Sequence, residues 1–440
     1  MLMSVTERRS SYDRMNYYLI VLLISLAVCI RLISVILTYH FHKEGIVFSY
    51  DSYGYENAAL AILKTGNFTT SITDLRPEIM RPPGYPLFLA LIYRFFGHNN
   101  LAVSILQMIM TIILIFLVTD ICKKIYDSYS TYFAAFILAI DMLSIRISQY
   151  LLTETLFTLL LVISVWVSTS AMVSRKWTVK DSLSLGILLS LATMVRPITY
   201  YIIIPIILCC FYQLRSLLYN WKKSLFLILL LIIPWLSIIG GWQIRNYINT
   251  GIGDFSTIQS INLFYYRGAA VLAEKENISL EKAQKKLELS LPDSKTISQS
   301  ELNKLQSHIG IQLIIKNPLI YTKIFLRGLL TTLLGPGSTG LKIWLPNKTL
   351  ASIFLGISLF GLILCYLGFL FWILMIQNEK NHFVAANITI WCIIIYVLLV
   401  GSGGESYSRF RIPVMPFIAL YGGHGLALAY QKYVRGARGV

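Results

Sequence analysis

The sequence predicts an all-α polytopic membrane protein with about ten to twelve transmembrane helices. Its 440 residues are 56% hydrophobic and only 13% charged. Apolar runs of roughly twenty residues recur along the chain, which is more than a water-soluble core needs. The basic residues behind the net charge of +17 lie between these runs and are not gathered on one face or arm. That distribution argues against a nucleic-acid-binding protein.

The first apolar run, 17–37, follows a polar stretch that carries Arg8, Arg9 and Arg14. It is too long for the apolar part of a cleaved signal peptide, and no small-residue cleavage pattern follows it. We therefore expect a permanent first span with the amino terminus in the cytoplasm. Further spans are predicted near 101–119, 129–147, 153–173, 182–195, 198–212, 224–241, 350–376, 383–400 and 411–430.

The charges between these spans favour one orientation. The short outer connections hold almost no basic residue besides Arg196, Arg409 and Arg411. The positive-inside rule then places both termini in the cytoplasm and predicts a single transmembrane domain, 1–430, with a cytoplasmic tail, 431–440. The inner loops hold Lys123, Lys124, Arg175, Lys176, Lys180, Arg215, Lys222, Lys223, Lys380, Lys432, Arg435 and Arg438.

Two longer stretches face outward: 39–97, called the first outer segment, and 242–347, called the second outer segment. In the first, Asp51 is a candidate helix N-cap, and an apolar stripe follows it and ends at Gly66. A helix this short with one apolar face should lie in the membrane interface. The stripe consists of Tyr55, Ala58, Ala59, Ile62 and Leu63.

A rigid turn follows in the first outer segment. Two prolines and a glycine in succession cannot continue a helix, so they fix the backbone beside the lone acid Asp51. The apolar stretch after the turn, 87–96, is too short to span alone and is either interfacial or the start of a span. The turn consists of Arg81, Pro82, Pro83, Gly84 and Tyr85.

The second outer segment predicts a pair of helices. Ser298 and Glu301 form a candidate capping box, and the helix that they open should break at Pro318. Beyond it, 319–334 is apolar but carries Lys323 and Arg327, which favours an interfacial or re-entrant helix.

The acids near the outer surface are candidates for chemistry. Asp51 is either only a helix N-cap or a base, and the roles conflict in part because amide donors weaken a carboxylate as a base. Glu154, at the outer start of a span, is either functional or an interface carboxylate that reaches water or caps its helix. Asp141 and Arg146, on the preceding predicted span, are expected to pair.

Arginines at the outer ends of spans are candidates for anion binding. A single one is usually an interfacial anchor, but several at one surface form a phosphate trap, because guanidinium is always charged and matches phosphate oxygens bidentately. The cofactor expectation is either none or a divalent metal held by His40, His42 and Asp51. The candidate arginines are Arg196, Arg245, Arg409 and Arg411.

Taken in order, these residues resemble a known family. The first outer loop of the GT-C fold integral-membrane glycosyltransferases of glycosyltransferase family 39 is resembled by the run 51–55 with Ala58 and Ala59, then Gly66, the run 81–87 and the pair 96–97. That family includes protein O-mannosyltransferases and bacterial lipid A aminoarabinose transferases. Later landmarks of the family are matched by Thr153-Glu154, Arg196-Pro197, Gly241-Trp242, Arg245-Asn246-Tyr247 and 409–413. The likeness covers roughly 20–250 and the final span.

The resemblance implies a GT-C fold and a catalytic role for Asp51, with Glu154 as a second acid that orients an acceptor or a metal. It implies a donor sugar linked through phosphate to a polyprenol, used on the non-cytoplasmic face. Eukaryotic mannosyltransferases of the family carry two adjacent acids, whereas Ser52 follows Asp51 here. A two-acid mechanism and a protein acceptor are therefore not implied.

The hypothesis from sequence is one inverting displacement in which Asp51 takes the proton of an acceptor hydroxyl and the arginines hold the phosphate. The acceptor is a lipid, a glycan or a protein, and membrane lipids are the other partners. The alternatives are a transporter or flippase of lipid-linked sugars, and a hydrolase or polymerase on the same carriers. A flippase predicts charges near the bilayer midplane and internal repeats. The expected location is a bacterial inner membrane with a periplasmic site.

Overall fold

The computed structural model describes residues 5–292, 297–375 and 384–435. Within these ranges all regular structure is helical, apart from isolated β-bridges between Val47 and Tyr150 and between Thr69 and Pro77. The predicted all-α class is therefore confirmed. Lys380, Arg438 and the end of the predicted tail, 436–440, lie outside the described residues.

The helices follow one another with short connections. Short 3-10 helices cover Pro197–Thr199 and Ser408–Arg411, and a wider π-type turn covers Asn262–Gly268. The α-helices are α1 (Val5–Phe41), α2 (Tyr50–Thr65), α3 (Gly84–Phe96), α4 (Asn100–Ile125), α5 (Ser128–Ala139), α6 (Met142–Ile147), α7 (Glu154–Val173), α8 (Val179–Val195), α9 (Ile203–Ser216), α10 (Trp221–Thr250), α11 (Ile258–Ile261), α12 (Ala269–Glu276), α13 (Leu280–Glu288), α14 (Gln299–Lys316), α15 (Pro318–Leu334), α16 (Ser338–Trp344), α17 (Lys348–Met375), α18 (Val384–Gly401) and α19 (Met415–Tyr430).

Several helices are suited to a membrane. By length and composition, five in the described part of the chain could cross one: the apolar part of α1, then α4, α7, α10 and α17. The pair α14 and α15, bent by 100°, would make a sixth. Shorter apolar helices are α3, α5, α9 and most of α18. The chain is an integral membrane protein, and the exact number of spans stays a prediction.

The centre of the bundle is α19, which packs against α5 and α17. Its residues from Met415 to Gly425 are all buried, because a helix that is apolar on every side is most stable when other helices surround it. The polar connection before α19 is thereby held at one end of the bundle.

The predicted span 129–147 is wrong, because the helix ends at Ala139 and α6 starts afresh at Met142. With 12 residues, α5 is about 18 Å long, less than the hydrocarbon core of a bilayer. Arg31 covers its carboxyl end, donating to the carbonyls of Leu138 at 3.1 Å and Ala139 at 3.3 Å.

The expected pairing of Asp141 with Arg146 is replaced by other partners. Asp141 accepts a hydrogen bond from Ser144, and Arg146 donates to the carbonyl of Gly337. Both residues lie where the predicted span is broken, so the break gives each side chain a nearer polar partner.

The predicted end of the seventh span, at 241, is also wrong. Helix α10 continues to Thr250 and ends where Gly251 takes the left-handed conformation with φ 72°. Arg245 and Asn246 therefore lie on the last turns of a helix and not in the loop after it.

The first outer segment forms its predicted helix, α2, which ends at Gly66. The N-cap is Ser49 and not Asp51, since the Ser49 amide donates to Ser52 Oγ at 2.9 Å. Asp51 lies in the first turn, so its carboxylate is left for other partners. In the second outer segment, the predicted capping box of Ser298 and the break at Pro318 are both present.

Candidate active site

Two acids and two arginines that are far apart in sequence form one chain of ion pairs. Arg409 Nη2 donates to Asp51 Oδ2 at 2.8 Å. Arg409 Nε lies 3.7 Å from Glu154 Oε1, and the same carboxylate oxygen lies 2.8 Å from Arg196 Nη1. The order is therefore Asp51, Arg409, Glu154, Arg196, with charges that alternate in sign.

The two carboxylates differ in exposure. The Asp51 side chain is 41% exposed, whereas that of Glu154 is 2% exposed. Glu154 is the first residue of α7, and its Oε2 is buried without a hydrogen-bond partner among the described residues. Of the alternatives for Glu154, the interface carboxylate that reaches water is excluded, because the side chain is enclosed and the two guanidinium groups compensate its charge inside the protein.

The two arginines are held by aromatic rings as well as by charge. Arg196 Cζ lies 5.8 Å from the centre of the Phe157 ring and 5.6 Å from that of Phe410. Arg409 Cζ lies 5.4 Å from the Phe410 ring. Stacking of this kind fixes the plane of a guanidinium and leaves its edge for an anion.

Arg409 stays charged although it is largely enclosed. Burial lowers the pKa of Arg409, but the Glu154 and Asp51 carboxylates raise it by more, so the net shift is upward. The site thus keeps a permanent cation between its two acids.

The rigid turn holds the first outer segment against the residues just before Arg196. A Cβ on Gly84 would lie 2.6 Å from the carbonyl oxygen of Met194, so only glycine permits this approach. Pro82 and Pro83 are buried beside it. Tyr85 is buried and donates to Gln107 Oε1 at 2.9 Å. The predicted role of the turn as a rigid support agrees with these contacts.

Arg81 of the turn lies next to the aromatic side of α2. Its Cζ is 5.6 Å from the centre of the Tyr55 ring, and its Nη1 is 3.4 Å from Glu78 Oε2. Burial raises the pKa of Tyr55, and the nearby Asp51 carboxylate raises it further. Tyr55 therefore stays a neutral phenol between the turn and the candidate base.

Two of the predicted phosphate ligands have other partners. Arg411 is 1% exposed, and its Nη1 donates to the carbonyls of Thr332 at 3.1 Å and Gly335 at 3.1 Å, at the carboxyl end of α15. Arg245 donates to the carbonyls of Phe68 at 2.7 Å and Glu78 at 2.9 Å. Both arginines therefore hold segments of the backbone in place through these carbonyls.

The histidines do not gather around Asp51. His42 Nε2 makes a hydrogen bond with the carbonyl of Trp344 at 2.9 Å, and the exposed His40 packs edge-on against Phe41. In the described ranges, no group of three or more His, Cys, Asp or Glu side chains is placed to hold a metal ion. The predicted ligands His40, His42 and Asp51 are therefore not assembled into a metal site, and the chemistry below is derived without a metal.

The structure also brings residues to the site that the sequence did not single out. Burial raises the pKa of Tyr266, and the Asp51 carboxylate raises it further, so this phenol lies near the candidate base. Beside it, Arg267 Nε donates to Glu405 Oε1 at 2.9 Å. Glu405 lies in a glycine-rich run just before Arg409. This run is the feature of the sequence that could have drawn attention to Glu405.

The family model for dolichyl-phosphate-mannose-protein mannosyltransferases matches residues 80–238, which include the rigid turn, Glu154 and Arg196. The resemblance noted in the sequence is thereby confirmed. No curated protein matches the chain in sequence.

Solved structures agree on the fold. The chain is similar to the archaeal oligosaccharyltransferase AglB from Archaeoglobus fulgidus in complex with an inhibitory peptide and a dolichol-phosphate, with TM-score 0.51, 13% identity, and coverage of 98% of this chain and 52% of that one. The AglB complex with Zn and sulfate gives TM-score 0.52 at 12% identity, covering 94% and 49%. The chain thus spans about half the length of AglB.

A lower likeness is found to ArnT from Cupriavidus metallidurans bound to undecaprenyl phosphate. It has TM-score 0.40 and 11% identity, and it covers 94% of this chain and 79% of that one. A score of this size does not establish a common fold.

Proposed function

We propose that this protein is a glycosyltransferase that moves a hexosyl- or pentosyl-type sugar from a polyprenyl-phosphate donor to a lipid, glycan or protein acceptor. The observation that carries the proposal is the chain of alternating charges that runs from the exposed Asp51 through the buried Glu154 to the partly buried Arg196. It supplies a carboxylate open to solvent and, beside it, two cations suited to a phosphate.

The proposed reaction is a single displacement with inversion. An acceptor hydroxyl gives its proton to Asp51 as its oxygen attacks the anomeric carbon. The bond from that carbon to the phosphate oxygen breaks, and its electron pair stays on the phosphate. Because a lipid phosphate is already a weak base, it needs charge stabilisation and no general acid.

Arg409 and Arg196 are the residues that would stabilise the leaving phosphate. Arg409 lies between both acids, so an incoming phosphate can share or take over its contact with Asp51. Glu154 is too enclosed to be a base for a soluble acceptor, and we assign it the orientation of the two guanidinium groups. This proposed role differs from the one that the resemblance implies for Glu154, which is to orient an acceptor or a metal.

The donor would reach the site from the membrane. The polyprenyl tail would lie among the apolar helices while the acceptor arrives from water on the outer, periplasmic side of a bacterial inner membrane. A divalent cofactor stays a prediction, and titration of the transfer rate with a chelator tests it. The matched family and the structure that shares the fold are transferases, so the flippase alternative has no support from them.

The test is sugar transfer by the purified full-length protein in lipid nanodiscs. Polyprenyl-phosphate sugars are offered with lipid, glycan and peptide acceptors, and both the glycosylated product and free polyprenyl phosphate are measured. We expect Asp51→Asn to lower the rate by about a hundredfold or more, as for loss of a general base. The matched control is Asp74→Asn, since Asp74 is a carboxylate of the same segment paired with Arg76 at 2.7 Å.

The outcomes separate the alternatives. Transfer at near wild-type rate by Asp51→Asn would show that Asp51 is not the base. Release of polyprenyl phosphate without a glycosylated product would favour a hydrolase. Movement of donor across liposomes without any bond change would favour a flippase.

A further inference from the structure

One ion pair fixes the loop that precedes Arg409 in the chain. This loop, 402–407, joins α18 to the 3-10 helix that carries Arg409. Its Glu405 accepts from Arg267 Nε at 2.9 Å and lies 2.8 Å from Arg267 Nη2. The side chains of Arg267 and Glu405 are only 19% and 11% exposed. An enclosed pair with two contacts fixes its partners more firmly than a surface pair does.

Arg267 connects the loop to the end of α18. Its Nη2 donates to the carbonyl of Val400, at the end of α18, at 2.6 Å. Burial lowers the pKa of Arg267, but Glu405 and the nearby Tyr321 of α15 together raise it by more, so the guanidinium stays charged. This one side chain therefore joins α18 to the loop.

The residue next to Arg267 lies near the candidate site. Tyr266 precedes Arg267 and is close enough to Asp51 and Arg409 for both to act on the pKa of its phenol, which Asp51 raises and Arg409 lowers. The loop closely approaches the turn that carries Tyr266: a Cβ on Gly404 would lie 2.7 Å from the carbonyl oxygen of Tyr266. A shift of the turn would therefore move the loop, and with it Arg409.

We propose that Glu405 is a positioning residue, which acts through its ion pair with Arg267 to set the place of the Arg409 guanidinium against Asp51 and Glu154. This inference rests on the proposed function, because Arg409 is the group that would bind the donor phosphate. A misplacement of about 1 Å in such a group costs as much as a hundredfold in rate.

The test is a double-mutant cycle with Glu405→Gln and Arg409→Lys, read as kcat/KM for the polyprenyl-phosphate sugar. Glu405→Gln alone should lower kcat/KM by about tenfold, mostly through KM for the donor. If Glu405 acts through Arg409, the double variant should be little worse than Arg409→Lys alone, because residues that act together are not additive. If the fold losses in kcat/KM of the two single variants multiply fully in the double variant, the proposal is overturned.

The matched control is a carboxylate outside the site, whose substitution should act independently of Arg409. Glu276 is a carboxylate of the second outer segment that pairs with Lys286 at 2.7 Å on the surface. Glu276→Gln should leave kcat/KM within about twofold of wild type. Its small effect should multiply with the loss caused by Arg409→Lys in the double variant. A loss from Glu276→Gln equal to that from Glu405→Gln would show a general effect of outer charge and contradict the proposal.

Lipid binding is a second measurement. It can be made on variants that fold poorly, and it distinguishes failure of the positioning role from failure of the proposed function. Binding of polyprenyl phosphate is measured with the folded fraction of each variant, and Arg267→Lys replaces Glu405→Gln if the latter does not fold. A wild-type protein that binds this lipid but transfers no sugar would reject the proposed function alone. Unchanged lipid affinity in both Glu405→Gln and Arg267→Lys would reject the positioning role.

Discussion

Arg409 and Arg411 are two residues apart in one 3-10 helix, yet their guanidinium groups have different surroundings. Arg409 contacts the carboxylates of Asp51 and Glu154, and Arg411 contacts main-chain carbonyls at the end of α15. With about three residues per turn, positions two apart point to different sides of such a helix. One arginine therefore faces the site and the other faces the interior of the bundle.

Arg196 and Arg245 repeat this contrast. Arg196 pairs with Glu154, and Arg245 holds the carbonyls of Phe68 and Glu78 in the first outer segment. A guanidinium paired with a carboxylate can exchange it for a phosphate of like charge. One that satisfies several buried carbonyls cannot leave without uncovering them, which is costly. The type of partner thus separates arginines for binding from arginines for structure.

The largest effect is expected at Arg409. Arg409→Gln should lower kcat/KM for sugar transfer by roughly a hundred- to a thousandfold, because the phosphate loses a preorganised cation. The control is Arg76→Gln, which removes an arginine that is 82% exposed and should leave the rate within about twofold. A rate for Arg409→Gln within a few-fold of wild type would remove it from the site.

A smaller loss is expected at Glu154. Glu154→Gln keeps the shape of the side chain but no longer compensates Arg196 and Arg409, so we expect a loss of about ten- to a hundredfold in kcat/KM. Glu154→Asp, which keeps the charge, should recover part of the rate. Equal losses in both variants would show that shape and not charge matters at this position.

Arg411 should affect stability more than rate. Arg411→Gln leaves carbonyls of α15 without their charged donor, and we expect the unfolding free energy to fall by about 3 kcal/mol. Thermal unfolding in detergent measures the change, with Arg409→Gln as the comparison. The rate per folded molecule should stay within about threefold of wild type. A much larger loss of rate with unchanged stability would place Arg411 in the donor site after all.

The smallest effect is expected at Arg245. Arg245→Lys keeps the charge but cannot hold two carbonyls in the same geometry, so stability should fall by about 1 kcal/mol. Limited proteolysis should cut the stretch 68–78 sooner, because it loses its anchor to α10. Unchanged cleavage in this stretch would show that other contacts are sufficient to hold it.

Local features of the fold were well predicted. The end of α2 at Gly66, the capping box of Ser298 and the break at Pro318 depend on neighbouring residues alone, and the structure has all three. Two errors were also local, since Ser49 and not Asp51 caps α2 and α10 continues to Thr250. A third error lies where a distant residue contributes. The span predicted over 129–147 is interrupted, and Arg31, far away in sequence, covers the end of α5 that results.

The candidate site likewise has features that the sequence determines and features that depend on distant residues. By itself, the sequence determined the membrane class, the rigid turn, and the short set of acids and arginines from which a site could be built, because hydropathy, proline geometry and charge are local properties. Only the tertiary structure decided that Arg409 and Arg196 join Asp51 and Glu154 while Arg245 and Arg411 serve as anchors. Which partner a guanidinium meets depends on how separate helices pack, and no stretch of sequence contains both sides of that contact.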